Sequence, residues 1–292
     1  AARGDCTTID SRWQMRPAGA GALVALGSLA NYCYQAAAGG IFCNDGEARP
    51  DDGNQTSDPP ATGIAFRAAG ARDWQPMAQA ALAGQVITAI ETSPDRRQLA
   101  VATRAWDRAD APAAKQVLRL WLMDITDGKA TSPRRLLEIV DPLANGNHFT
   151  DDDTIRALSF SADGRRIVFT HKKAAGASVA RADLYLVDTD AAAKARTIPG
   201  FSRRAVAIGD DRVLGLDDGT LLDLDTGRTI ARVPLQAALV RAGWIERSRL
   251  LWTSTEDGKI LFLDSGDGAL VLTLHALPDN RYFAAAPAGR YD

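Results

Sequence analysis

The chain predicts an all-β repeat fold, and three observations carry that prediction. Short runs of alternating apolar and polar residues recur along it, among them Thr154-Ile155-Arg156-Ala157-Leu158-Ser159-Phe160 and Arg166-Ile167-Val168-Phe169-Thr170. A period of two is the mark of a short antiparallel strand. A Ser-x-Asp turn separates such runs, at Ser93-Pro94-Asp95 and again at Ser161-Ala162-Asp163-Gly164. Strands further on end in aspartate, and Asp188, Asp225 and Asp264 stand 37 and 39 residues apart. That spacing is close to the roughly 40-residue blade of a β-propeller.

Residues 1–60 read as an irregular N-terminal arm. It holds strand-like pieces at Ala22-Leu23-Val24-Ala25-Leu26 and Asn31-Tyr32-Cys33-Tyr34, which are candidates to close the ring. Ala and Leu also favour a helix over Ala22 to Ala38, but the Tyr and Cys content and Gly39-Gly40 speak for strands. Asn44 to Pro60 reads as a solvated loop, because Pro, Gly and Asp at this density stop a sheet. Its carboxylates lack the ordered spacing of a calcium loop.

Residues 61–292 read as the propeller repeats. The full phrase is a strand (Val86 to Ile90), a Ser-x-Asp turn, a strand (Gln98 to Thr103), a hairpin, and a strand ending in Asp (Val117 to Asp124). It returns over 154–190, in shortened form from Arg204 to Asp225, and again from Leu239 to Asp264. Four nearly complete blades span 86–266, a partial one precedes them, and Tyr282 to Asp292 reads as the opening of one more. The polar stretch Asp127 to Asp153 reads as an insertion of about 25 residues on the face opposite the hairpins. Radial packing buries the apolar faces of such sheets and protects their edges. The expected fold is therefore a β-propeller of about six to seven four-stranded blades.

Val86 to Asp124 and Thr154 to Asp188 resemble blades of bacterial WD40-type β-propellers, with TolB-like propellers a near relative. Leu118-Arg119-Leu120-Trp121-Leu122-Met123-Asp124 stands where those blades carry their Trp-containing strand, and the two Ser-x-Asp turns stand where they carry the turn after the innermost pair. The resemblance covers about 61–292; the family's Gly-His pair is absent and one blade alone has the Trp. It implies a fold and names no ligand.

Hairpin length is the clearest functional signal. The later hairpins are tight, at Asp217-Asp218-Gly219-Thr220 and Glu256-Asp257-Gly258-Lys259, and Asp-Gly fits a two-residue turn with positive φ. The earlier ones are long, Arg104 to Gln116 and His171 to Arg181. Equivalent connections of neighbouring blades share a face, so these two make a raised rim of mixed charge. Function commonly sits on such loops, and Trp and Arg are frequent interface anchors. The candidate partner-binding residues are Trp106, Arg108, Lys172 and Lys173.

A net charge of -2 speaks against a broad nucleic-acid surface. No apolar run is long enough to span a bilayer. The three cysteines, Cys6, Cys33 and Cys43, have no C-x-x-C spacing, so no metal site or redox pair is indicated, and a disulfide and three free thiols both stay open. Asn145-Gly146-Asn147-His148 and Asp151-Asp152-Asp153 read as a turn and a solvated acidic segment rather than a metal site. His148, His171 and His275 stand far apart, and neither a Gly-x-Ser-x-Gly elbow nor an H-E-x-x-H motif occurs. The expectation is a non-catalytic scaffold for protein partners, with no cofactor, in the cytoplasm. Two alternatives stand beside it: a processed periplasmic, TolB-like propeller of an envelope complex, and a hydrolase or lyase using the central channel.

Overall fold

A computed structural model of the chain describes residues 12–15, 24–28, 33–37, 40–44, 63–68, 75–77, 80–107, 115–126, 129–142, 156–171, 181–190, 195–202, 204–209, 211–233, 237–245, 248–277 and 281–287. Strands β1 (Arg12–Met15) and β2 (Val24–Ser28) form an antiparallel ribbon. Blade I holds β3 (Cys33–Ala37), β4 (Gly40–Asn44), β5 (Ile64–Ala68) and β6 (Gln75–Met77). A 3-10 turn, Ala80–Leu82, precedes blade II, made of β7 (Val86–Thr92), β8 (Gln98–Asp107), β9 (Lys115–Thr126) and β10 (Lys129–Pro142). Blade III holds β11 (Arg156–Phe160), β12 (Arg166–His171), β13 (Arg181–Asp188) and β14 (Ala195–Ser202). Blade IV holds β15 (Ala205–Ile208), β16 (Arg212–Gly215), β17 (Thr220–Asp223) and β18 (Thr229–Arg232). Blade V holds β19 (Leu239–Trp244), β20 (Leu250–Thr255), β21 (Lys259–Asp264), β22 (Leu270–Leu277) and β23 (Arg281–Ala285).

Every blade is an antiparallel meander in chain order. The first strand of each packs beside the first strand of the next: β3 by β7, β7 by β11, β11 by β15, β15 by β19. Sheets that meet at their first strands fan out from a common axis, and the fold is a β-propeller. The core lies between the blades. Along β9, Leu118, Leu120 and Leu122 face blade III, while Met123, Trp121 and Ile125 face blade I. A further cluster joins blades III and IV through Val168, Leu184, Ala207 and Val213, and another joins IV and V through Leu214, Leu221, Leu251 and Leu263. Strands buried on both faces explain the nearly continuous apolar runs that interrupt the alternation.

The Ser-x-Asp turns form as one repeated device. Ser93 Oγ donates to Asp95 Oδ1 at 2.6 Å and accepts from the Gln98 amide at 2.9 Å; Ser161 Oγ does the same with Asp163 at 2.6 Å and the Arg166 amide at 3.0 Å. The fourth position takes left-handed backbone in both, at Arg96 (φ 61°) and Gly164 (φ 72°). Glycine does this without a Cβ clash, and arginine does not.

Four readings of the sequence are corrected. Half of the supposed insertion Asp127 to Asp153 is strand: β10 pairs along β9 from Lys129↔Thr126 to Pro142↔Lys115. The long connection therefore follows Pro142, at the same end of the sheet as the β8–β9 hairpin and not on the opposite face. The aspartate closing the third strand of blade IV is Asp223, which ends β17, rather than Asp225. Its Oδ1 accepts from the Thr226 amide at 2.6 Å, as Asp264 Oδ1 accepts from the Gly266 amide at 2.6 Å. The C-terminal strand opens no further blade here: β23 pairs with β22 as a fifth strand, from Leu277↔Arg281 to Thr273↔Ala285, because an apolar alternating strand after a short turn satisfies the open edge beside it. The tight hairpins are longer than two residues, since β16 ends at Gly215 and β17 begins at Thr220, and only Gly219 (φ 68°) and Gly258 (φ 81°) take positive φ. The division at 60/61 runs between β4 and β5, which pair from Gly40↔Ala68 to Asn44↔Ile64.

Candidate functional site

The hairpin end of blades II and III is where the sequence places its partner-binding residues. Trp106 is in β8, with Gln116 as its register partner, one step before the closing pair Asp107↔Lys115. Arg108, Lys172 and Lys173 lie outside the described residues, as do Asn145, His148 and Asp151 to Asp153. The bases of both hairpins are described. β12 ends at His171, register partner of Asp183, at the end of blade III that corresponds to Asp107 and Lys115 in blade II. His171 is buried, so it belongs to the blade and not to the rim. Its ring lies tilted to Tyr185 at 6.4 Å.

Under the β8–β9 hairpin runs a polar chain that the sequence reading missed. Trp121 Nε1 donates to Thr103 Oγ1 at 3.1 Å, and Thr103 Oγ1 donates to Gln85 Oε1 at 2.7 Å. Arg119 Nη1 donates to the same Gln85 oxygen at 3.3 Å, and Arg119 Nε donates to Glu138 Oε2 at 2.9 Å. Arg135 Nη1 reaches that carboxylate oxygen at 2.6 Å. Gln85 Nε2 donates to the Ala81 carbonyl at 2.6 Å, which ties the 3-10 turn to the sheet. The chain thus crosses from the entry of β7 to β10. The Arg119 hydrogen bond, aided by the charge of Arg135, holds the Glu138 carboxyl below the ordinary carboxylate value. The sequence signal was Gly84-Gln85 immediately before an inner strand, with a Thr on the next strand and a Trp on the third.

Beside this chain lies an open groove of about 370 Å³, lined by Gly84, Gln85, Ala105, Val117, Arg119, Glu138 and Val140. It pairs one cation and one anion with Val140, an aliphatic side chain 48% exposed. The arrangement suits a polar or mixed-charge contact held at the foot of the β8–β9 hairpin. At the corresponding place in blade IV a carboxylate takes up the polar groups at the entry of β15. Ser202 Oγ and the Arg204 amide donate to Asp217 Oδ2 at 2.9 and 2.8 Å, and Arg204 Nε donates to Asp217 Oδ1 at 2.8 Å. Burial raises the Asp217 carboxyl, and the Arg204 and Ser202 hydrogen bonds outweigh it, so the group stays below its ordinary value.

No group of three or more His, Cys, Asp or Glu that could hold a metal ion occurs among the described residues, and no described helix is long and apolar enough to cross a membrane. No family model and no curated protein matches the chain. Among solved structures the chain is similar to one in a crystal structure of a mitotic checkpoint complex, at 9% identity and a TM-score of 0.43, over 90% of this chain and 85% of that one.

Proposed function

We propose that the chain is a non-catalytic β-propeller scaffold that binds protein partners within a larger assembly, as the resemblance to bacterial WD40-type propellers implies. Trp106, Arg108, Lys172 and Lys173 form the contact surface. One observation carries the reading. The β8–β9 connection spans 108–114 and the β12–β13 connection 172–180, both from the same end of neighbouring blades, whereas the β16–β17 and β20–β21 connections at that end span only 216–219 and 256–258. A rigid base with two long adjacent loops is where recognition is commonly built. The groove with Arg119, Glu138 and exposed Val140 lies at the foot of the β8–β9 hairpin, beside the base of that surface.

The test is a co-purification of the native protein that identifies what travels with it, followed by the same capture with Trp106→Ala combined with Lys172→Glu. The double variant is expected to lose the partner. Asp267→Asn, in the exposed turn at the opposite end of blade V, is expected to keep it. Equal capture by both variants overturns the reading.

A further inference from the structure

Two of the three cysteines come together in blade I. β3 and β4 are joined by a two-residue connection, Ala38-Gly39, and their register places Cys33 directly opposite Cys43. The pair Tyr34↔Phe42 adjoins it, and the register shift falls beyond Tyr34, toward the turn. Cys43 is in turn the register partner of Ala65 on β5, so β4 is held on both sides. Directly opposed residues of an antiparallel pair have Cα atoms about 4.5 or 5.5 Å apart. A disulfide takes a Cα separation of about 4.4–6.8 Å. The Cα spacing of a directly opposed pair therefore lies within the range a disulfide takes.

We infer that Cys33 and Cys43 form a cross-strand disulfide when the chain meets a disulfide oxidant, with Cys6 left out of the bridge. The chemistry is two thiol–disulfide exchanges. One cysteine thiolate attacks the oxidant's disulfide, forming a mixed disulfide and releasing one thiol. The second cysteine thiolate attacks the protein sulfur of that mixed disulfide and releases the other thiol. The protein loses two hydrogens, and the oxidant is reduced to two thiols. The bridge staples the first two strands of the blade that packs against β7.

Oxidised glutathione is the probe. The reduced chain is incubated with it, alkylated in denaturant without reduction, and digested with trypsin. Arg16 and Arg49 each precede proline, so one peptide, Trp13 to Arg67, holds both Cys33 and Cys43, and Cys6 falls in Gly4 to Arg12. The expected product is a Trp13 to Arg67 peptide lighter by two hydrogens and blocked to alkylation, with Cys6 alkylated or glutathionylated. The Cys6→Ser variant is expected to give the same peptide, and Cys33→Ser to leave Cys43 as a glutathione adduct. The folded chain is expected to close the bridge on the order of tenfold faster than the chain in urea, since the fold holds the reacting residues together. Alkylation of both cysteines, adducts on both, a cross-link to Gly4 to Arg12, or an equal rate in urea would each overturn the assignment.

Discussion

Thr103 shows how much one hydroxyl can hold. It is fully buried in β8, accepts from Trp121 on β9 and donates to Gln85 before β7, so it joins three consecutive strands through one oxygen. Thr103→Val keeps the shape and removes both bonds, leaving the indole N–H without its acceptor. The expected loss is about 2 kcal/mol, read by urea unfolding, since an unsatisfied buried polar group costs roughly 1–3 kcal/mol. Glu91 is the opposite case. It shares a face of β7 with Ala89, toward blade III, and its register partner is the fully buried Ala100. Burial pushes its carboxyl up from 4.5 to about 7, against a backbone hydrogen bond at Thr92 that lowers it. The folded chain then holds this proton where the unfolded chain has released it. Stability is thus expected to fall as pH rises from 4.5 to about 7, and to level off above. Glu91→Gln should flatten that window and gain on the order of 2 kcal/mol at pH 8. A thermal-melt series across pH in which wild type and variant run parallel would refute it.

At the scale of elements, arginines fasten blades II, III, IV and V to one another in turn. Arg134 on β10 donates to the Thr189 carbonyl at 2.6 Å, just after β13. Arg196 on β14 repeats the contact one blade on, to the Leu224 and Asp225 carbonyls at 2.7 and 2.6 Å. Arg166, which opens β12, pairs with Asp225 at 2.8 Å, and Arg212, which opens β16, donates to the Ser265 carbonyl. These second and fourth strands of blades II, III and IV therefore grip the closing turn of the next blade's third strand. A charged donor on a partly buried carbonyl is worth roughly 1.5–3 kcal/mol. Arg134→Met keeps the aliphatic stem and is expected to cost about 2 kcal/mol in chemical unfolding. Native-state hydrogen exchange should speed up at the Thr189 turn, whose amide donates to the Arg165 carbonyl at 2.8 Å, and stay unchanged in blade V. Uniform acceleration across all blades would show that this contact is not local.

For the molecule as a whole, stability resides between blades, so each interface depends on its nearest neighbours. Phe169 is the sharpest probe of one. It is fully buried on β12, stacks on Tyr185 at 5.0 Å with the rings 1° from parallel, and belongs to the cluster shared by blades II and III. Phe169→Ala is expected to cost about 3–5 kcal/mol. Protection should fall first in β8 and β12 and last in β21, a gradient that a single all-or-none core would not give. Measurement is by exchange resolved to peptides.

The amino-acid order alone determined that the chain is a repeat of short strands. The short strand-like runs Thr154 to Phe160 and Arg166 to Thr170, and the Ser-x-Asp turns at Ser93 and Ser161, are local signals that need no knowledge of the neighbours. The hairpin contrast between blades II and III and blades IV and V was equally legible, because loop length is written in the chain. What lay outside it was pairing. Nothing local distinguishes an outer strand from a polar insertion, so β10 was hidden in Asp127 to Asp153 until β9 offered it an edge. The same holds for β23, whose apolar alternation suits a new blade and an old one equally, and for Gln85, whose role exists only once Thr103 and Trp121 are brought beside it. Turns and strand propensity act over a few residues and can be read in one dimension. Register, edges and buried polar partners are set by segments tens of residues apart, and only the folded chain decides them.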